Sequence, residues 1–314
     1  MKCLVTGAAG FIGSHLAERL VQEGFEVVGV DAFTDAYDPA VKEQNVRQLL
    51  QSPQFRLIRG DLLALDLDQL LEGVEVVYHQ AAQAGVRSSW GGEFHHYVAR
   101  NVAATQRLLE ACKDRSLRKF VYASSSSVYG ESEVYPTPEE ALPRPVSPYG
   151  VTKLAAEHLC VLYWKNYEIP TVSLRYFTVY GPRQRPDMAF HRFIVAIHRG
   201  EPISLYGDGE QSRDFTYISD VVEANLLAAE KGRPGEVYNI GGGARATLKE
   251  VLGLLEEITG ERPQVQRREV QRGDVRHTRA ELSKSRAELG YAPKVPLIEG
   301  LKRQVEWILG RFTP

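Results

Sequence analysis

The 314-residue chain is 43% apolar with a formal net charge of -2, enough to bury a large core in one big domain or two unequal ones. Near-balanced charge gives no basic footprint for nucleic acid and no acidic solvating tail. Cys3, Cys112 and Cys160 are scattered, with no Cys-x-x-Cys spacing, which argues against a disulfide framework or a zinc site and leads us to expect a cytoplasmic protein.

Met1-Lys2 runs directly into a strand at Cys3-Leu4-Val5, so no charged and apolar leader is expected, and no apolar run approaches membrane-spanning length. Phe11 to Glu23 reads as a helix stopped by Gly24, and Glu26 to Val30 as a second strand ending at Asp31. Further strands are expected at Phe55 to Ile58 before Gly60-Asp61, at Val74 to Tyr78 after Gly73, and at Phe120 to Ala123. Helices are predicted at Val98 to Lys113 and Tyr149 to Tyr167, followed by a strand at Thr171 to Arg175. This βαβ rhythm predicts the α/β class, with a Rossmann-type doubly wound parallel sheet over residues 1–175. Past Arg175, Gly181-Pro182, Arg185-Pro186, Gly200-Glu201-Pro202 and Gly207-Asp208-Gly209 break the rhythm. A smaller α+β substrate lobe is expected over residues 176–314. Glu236 to Ile240 still reads as a buried strand, so residues 236–240 are expected to return to the main sheet.

Gly7, Gly10 and Gly13 follow a strand and open a helix, the setting in which backbone approaches a pyrophosphate at a helix N-terminus. Asp31, at the end of the second strand, can hydrogen-bond a ribose diol and repels a 2′-phosphate, which favours NAD over NADP. Asp61 and the Ala81-Ala82-Gln83 turn lie at carboxyl ends of strands, where open α/β sheets bind ligands. We expect Asp61 near the adenine and the turn along the pyrophosphate.

Tyr149 and Lys153 form a Tyr-x-x-x-Lys pair, and Ser125 precedes them by a short segment. On a helix the pair shares one face. An ammonium beside a phenol stabilises the phenolate and lowers its pKa from the usual value of about 10. Such a Tyr can take a proton from an alcohol while hydride leaves the carbon for a nicotinamide. His95-His96 and His191 lack metal spacing, so no metal is expected. Trp90 reads either as a cover for a bound sugar or as core.

Taken together, Thr6 to Gly13, His79 to Arg87, Ser124 to Gly130, Tyr149 to Lys153, Arg175 to Pro182, Asp208 to Asp220 and Gly273-Asp274-Val275 resemble the NAD-dependent sugar epimerase/dehydratase family of extended short-chain dehydrogenases/reductases. The resemblance implies that Ser125 holds the substrate hydroxyl and that Tyr149 is the general base and acid. Lys153 would grip the nicotinamide ribose and tune Tyr149. It further implies a cofactor site of Gly7, Gly10, Phe11, Ile12, Gly13, Asp31, Asp61, Leu62, Ala81, Ala82, Gln83, Asn101, Ser124, Tyr149, Lys153 and Tyr176. Dehydratases of the family resemble Thr-Asp-Glu-Val-Tyr-Gly, where this chain has Ser125-Ser126-Ser127-Val128-Tyr129-Gly130. With no acid at 126 or 127, nothing evident protonates a leaving hydroxyl. Oxidation and re-reduction remain. In the family's 4-epimerases hydride passes from carbon 4 to bound NAD, the 4-ketose rotates, and the hydride returns to the opposite face.

Within the family, the stretches Val30 to Asp38, Ala82 to Arg87 and Phe177 to Met188 resemble UDP-glucuronate 4-epimerases. Arg185 with Thr178 and Ser127 would clamp the sugar carboxylate, Arg87 being a second candidate. Val179 would line the sugar site. Arg213 matches a diphosphate position, Asp274 a uridine-ribose position, and Arg276, Tyr206 and Gln211 join them. The resemblance implies a UDP-sugar substrate, a tightly held NAD, no nucleic-acid or membrane partner, and a homodimer. The alternatives are a UDP-glucose or UDP-N-acetylglucosamine 4-epimerase, or a non-catalytic NAD-binding relative.

Overall fold

The computed structural model describes residues 1–243 and 245–312. In chain order the first half runs β1 Lys2–Thr6, α1 Phe11–Gln22, β2 Glu26–Asp31, α2 Pro39–Val46, β3 Phe55–Arg59, α3 Leu67–Leu70, β4 Val76–His79, α4 Phe94–Tyr97, a π-helical stretch Val98–Ala103, α5 Ala104–Ala111, β5 Lys119–Ser125 and α6 Pro148–Tyr167. The remainder is β6 Thr171–Tyr176, β7 Thr178–Tyr180, α7 Ala189–Arg199, β8 Ile203–Tyr206, β9 Ser212–Tyr217, α8 Ile218–Lys231, β10 Val237–Ile240, β11 Arg245–Thr247, α9 Leu248–Thr259, β12 Val265–Arg268 and α10 Leu297–Leu309.

β1 to β6 and β10 form a seven-stranded sheet in the order β10-β6-β5-β4-β1-β2-β3, with every pairing parallel. Side-chain alternation explains its two covered faces. Cys3 and Val5 of β1 and Val121 and Ala123 of β5 point into one apolar layer with Leu16 and Leu20, while Leu4, Phe120 and Tyr122 point into the other with Leu108 and Tyr163. Strand order reverses between β1 and β4, so their carboxyl ends open a crevice, where such sheets bind ligands.

The strand at Val237–Ile240 pairs with β6. The later chain also contributes α8, which lies against α1, β5 and β6. Elsewhere it builds a three-stranded sheet, β11-β9-β7, and a two-stranded one, β12-β8. The Pro and Gly punctuation had masked four helices there, α7 to α10. α9 carries a full capping box between Thr247 and Glu250.

The helix predicted from Val98 begins earlier, at Phe94, and widens into the π turn before α5. The wide turn directs Asn101 inward. Its carboxamide accepts from the Gln83 amide at 2.7 Å and donates to the Gln83 carbonyl and to Thr152 Oγ1.

Candidate active site

At the crevice the glycines act through close approach. Gly7 has φ of +69°, and a Cβ there would sit 2.9 Å from the Ala81 amide nitrogen; one on Gly13 would fall 2.1 Å from the Gly7 carbonyl oxygen. No side chain caps α1 at Gly10, so its first amides and positive dipole end are left for an anion. At the end of β2 the buried Asp31 carboxylate accepts from Lys42 Nζ (2.8 Å), the Phe33 amide (2.8 Å) and the Ala9 amide (3.1 Å). A carboxylate offers about four lone-pair sites, so capacity remains for a ribose hydroxyl. The expected repulsion of a 2′-phosphate by Asp31 is tempered, because Lys42 offsets its charge. Asp61, Leu62, Ala81, Ala82 and Gln83 line the same hollow, with Lys42 and Arg100. These features fit a dinucleotide.

The hollow adjoins a cleft of about 1070 Å³ lined by Phe11, Ile12, Ser124, Ser125, Tyr149, Lys153 and Tyr176 together with Ser127, Thr178, Val179 and Arg185. α6 is held to the serine loop at its first turn: Ser147 Oγ caps the Gly150 amide at 3.1 Å, and a Cβ on Gly150 would lie 2.5 Å from the Ser127 carbonyl. That contact sets Tyr149 beside Ser125, whose Oγ accepts from the Ser127 amide at 3.1 Å. Burial raises the Tyr149 pKa above its ordinary value, against the opposing effects of the Ser125 hydroxyl and the Arg185 charge.

Lys153, expected to grip the nicotinamide ribose and tune Tyr149, follows it one turn further along α6 and lines the same cleft. It lies on the buried stripe of α6, with Nζ 4.7 Å from the centre of the Tyr122 ring. Burial pulls its pKa down to about 7, opposed by Cys160 and Glu157. Among the charges acting on the phenol, that of Arg185 favours its ionised form.

Below the cleft, Glu157, one turn beyond Lys153, accepts from Ser124 Oγ (2.6 Å) and takes a two-pronged pair from Arg175 Nε (2.9 Å) and Nη2 (2.6 Å). All three residues are buried. Burial works against the Arg175 charge, and the Glu157 carboxylate more than reverses it, so the Arg175 pKa is raised.

The nucleotide-side candidates gather in a second cluster. Arg87 donates to Asp274 Oδ2 at 2.7 Å and stacks 4.2 Å from the Tyr206 ring centre, while Gln211 Nε2 donates to the Tyr206 carbonyl. Arg213 donates to the Arg276 carbonyl and feels the charges of Asp274 and Arg87. Of the two arginines expected as carboxylate readers, Arg185 lines the Tyr149 cleft and Arg87 pairs with Asp274. Three further residues of interest make other contacts. The Asn101 side chain is spent on the Gln83 turn and Thr152, making it a support for the cofactor wall. The Arg276 guanidinium pairs with Asp208 at 2.9 Å on the surface and contributes to the cluster through its carbonyl. Trp90 is neither core nor a wall of the catalytic cleft; it is 47% exposed beside Phe94, Val146 and Val151.

Sequence reasoning missed Lys42, Tyr37, Arg100, Glu157 and Asp187. Glu157, a carboxylate four residues after Lys153 on one helical stripe, and Asp187, two residues after Arg185, carried local signals. Among the described residues no group of three or more His, Cys, Asp and Glu could hold a metal, and no helix is long and apolar enough to cross a membrane.

The model of the NAD dependent epimerase/dehydratase family matches residues 3–241. A Bacillus subtilis (strain 168) protein named as an uncharacterized UDP-glucose epimerase, YtcB, is 48% identical over 312 residues, covering 98% of each chain. A UDP-glucuronate 4-epimerase of Thermodesulfobacterium geofontis is 39% identical, over 97% of this chain and 95% of its own. The crystal structure of UDP-glucuronic acid 4-epimerase from Bacillus cereus, in complex with UDP-glucuronic acid and NAD, superposes with a TM-score of 0.97 at 47% identity, covering 99% of this chain and all of that one. A glycine cradle meeting a buried Tyr-Lys helix at the strand reversal, and likeness of this extent, have one explanation: the chain belongs to the NAD dependent epimerase/dehydratase family.

Proposed function

We propose that the protein is an NAD-dependent UDP-sugar 4-epimerase that interconverts UDP-glucuronate and UDP-galacturonate. One observation carries the choice of sugar: Arg185 lines the same cleft as Ser125, Tyr149 and Thr178, and its charge is felt at Tyr149. A cation at that position suits a carboxylate on the sugar ring.

Gly7, Gly10, Phe11, Ile12 and Gly13 hold the NAD diphosphate, Asp31 with Lys42 its adenosine ribose, and Asp61 and Leu62 its adenine end. Ala81, Ala82, Gln83, Ser124, Tyr149, Lys153 and Tyr176 complete the wall. When bound there, NAD supplies a reversible hydride acceptor at carbon 4. As the phenolate, which the Ser125 hydroxyl and the Arg185 charge favour against burial, Tyr149 Oη takes the proton of the 4-hydroxyl and gives it back, with Ser125 orienting that hydroxyl. Lys153 contributes a positive charge that burial has made easy to lose. With Ser126 and Ser127 in place of the acids of the family's dehydratases, these two positions supply no proton for water elimination. Arg185, Thr178 and Ser127 hold the carboxylate near the plane of a 4-ketone, which keeps the carbon–carbon bond out of overlap with the carbonyl and suppresses loss of carbon dioxide. Arg87, Tyr206, Gln211, Arg213, Asp274 and Arg276 form the UDP end.

We assign residues 1–175, with residues 236–240, to the NAD-binding domain, and the remainder of 176–314 mainly to the nucleotide-sugar lobe. Val98, Val151, Leu162 and Tyr167 expose apolar surface on the π turn and α6, supporting a homodimer paired through these helices. The free, buried cysteines are in keeping with the cytoplasm.

The test is incubation of purified protein with UDP-glucuronate, UDP-glucose and UDP-N-acetylglucosamine, with products resolved by NMR. UDP-galacturonate without decarboxylated sugar is expected. A second reading, UDP-glucose 4-epimerisation, draws on the naming of the Bacillus subtilis relative; inversion of UDP-glucose alone would replace the first.

A further inference from the structure

Arg185 is held by the chain before any sugar meets it. Its Nε donates to Asp187 Oδ1 at 2.9 Å and its Nη2 to Asp187 Oδ2 at 2.8 Å. This is a side-on fork, using one edge of the guanidinium. The five N–H groups of an arginine sit in a rigid plane, so a side-on partner fixes the plane and leaves the end-on edge, Nη1 with the second hydrogen of Nη2, for another oxyanion.

The backbone beneath this pair is equally fixed. The Met188 amide donates to the Arg185 carbonyl at 3.1 Å, closing a turn with Pro186 at its second position, where a preset φ is favoured. On the approach, Arg183 pairs with Glu18 at 2.7 Å, and the Gln184 side chain donates to the Val179 carbonyl and accepts from the His191 amide. Arg185 and Asp187 both line the catalytic cleft. Their side chains differ in exposure, 22% for Arg185 and 54% for Asp187, so the cation is the inner member of the pair. Its charge reaches both Tyr149 and Tyr37.

We propose that Asp187 is a positioning residue that locks Arg185 by its side-on edge, so that the end-on edge reads the sugar carboxylate and sets the preference for a uronate. The inference rests on the UDP-glucuronate reading of this cleft. A rival role has the opposite sign: if Asp187 were an internal competitor that the substrate must displace, removing its charge would tighten uronate binding.

The test uses the NAD-loaded enzyme and its Asp187→Asn, Asp187→Ala and Arg185→Ala variants, with KM and kcat for UDP-glucuronate and calorimetric affinity for UDP-glucose. Asp187→Asn should raise KM for UDP-glucuronate about tenfold, the equivalent of about 1.4 kcal/mol, with a smaller change in kcat and little change in UDP-glucose affinity. Asp187→Ala should do the same more strongly and release a larger fraction of decarboxylated product. An unchanged or lower KM for UDP-glucuronate, or equal losses for both sugars, overturns the proposal. If wild type fails to use UDP-glucuronate, or Arg185→Ala retains it, the uronate reading falls and takes this inference with it. If those two behave as that reading requires while both Asp187 variants match wild type, only the role of Asp187 falls. Asp187 is half exposed, and thermal melts with bound-NAD content check that the variants fold.

Discussion

Glu157→Gln tests whether the catalytic floor depends on one buried charge. The substitution keeps the shape but leaves the Arg175 guanidinium, 5% exposed, without the carboxylate that is itself 3% exposed. Breaking such a pair on one side typically costs about 3–5 kcal/mol, because a buried charge is left uncompensated. At roughly 2–4 °C per kcal/mol for domains somewhat smaller than this one, the melting temperature should fall by roughly 6–20 °C. Replacing Arg175 as well, as Glu157→Gln/Arg175→Met, removes the orphan charge and should recover most of the loss. Urea unfolding of the four proteins of this cycle, followed by circular dichroism, measures the coupling. Glu157 also raises the Lys153 pKa, so the alkaline limb of the single variant's pH–rate profile should move to lower pH. A Glu157→Gln melt within 1–2 °C of wild type, about half a kcal/mol, or no recovery in the double variant, would refute the reasoning.

Gly13→Ala places a methyl 2.1 Å from the Gly7 carbonyl oxygen, well over an ångström inside contact distance; the cradle must open, and absorbance of released nucleotide should show purified protein nearly free of NAD. Lys42→Met strips Asp31 of its ion partner and should weaken NAD retention by about tenfold or more, at the usual 1.4 kcal/mol per decade, and undiminished retention would show that Asp31 does not need its partner. Lys153 has a folded pKa of about 7 against the ordinary 10.5. Between those values the unfolded chain binds the extra proton, so this group makes stability rise with pH by up to about 1.4 kcal/mol per unit. Lys153→Met should remove that slope in urea melts of NAD-free protein at pH 7.5 and 9, and identical slopes would place the lysine nearer its ordinary pKa.

Local chemistry made much of this protein legible. Strand alternation such as Leu4 against Cys3 and Val5 follows from the pleat. The glycines at 7 and 13 are required by approaches under 3 Å, and Ser125, Tyr149 and Lys153 come to one cleft because the carboxyl end of β5 and the start of α6 are brought together. The later helices were hidden because their Pro and Gly neighbours mark ends, and ends were read as irregular chain.

By itself, then, the sequence determined what depends on near neighbours: the βαβ rhythm, the cradle, and the residue types available for proton and hydride chemistry. Tertiary structure alone decided which distant charges meet. Arg87 finds Asp274 across 187 positions, Arg175 finds Glu157 from the next strand, and Arg185 is left to the Tyr149 cleft. The physical reason is that periodicity and turn chemistry act within a few residues. The partner of a buried charge is set by where the packed sheet and lobe close off water, and that desolvation makes pairing obligatory.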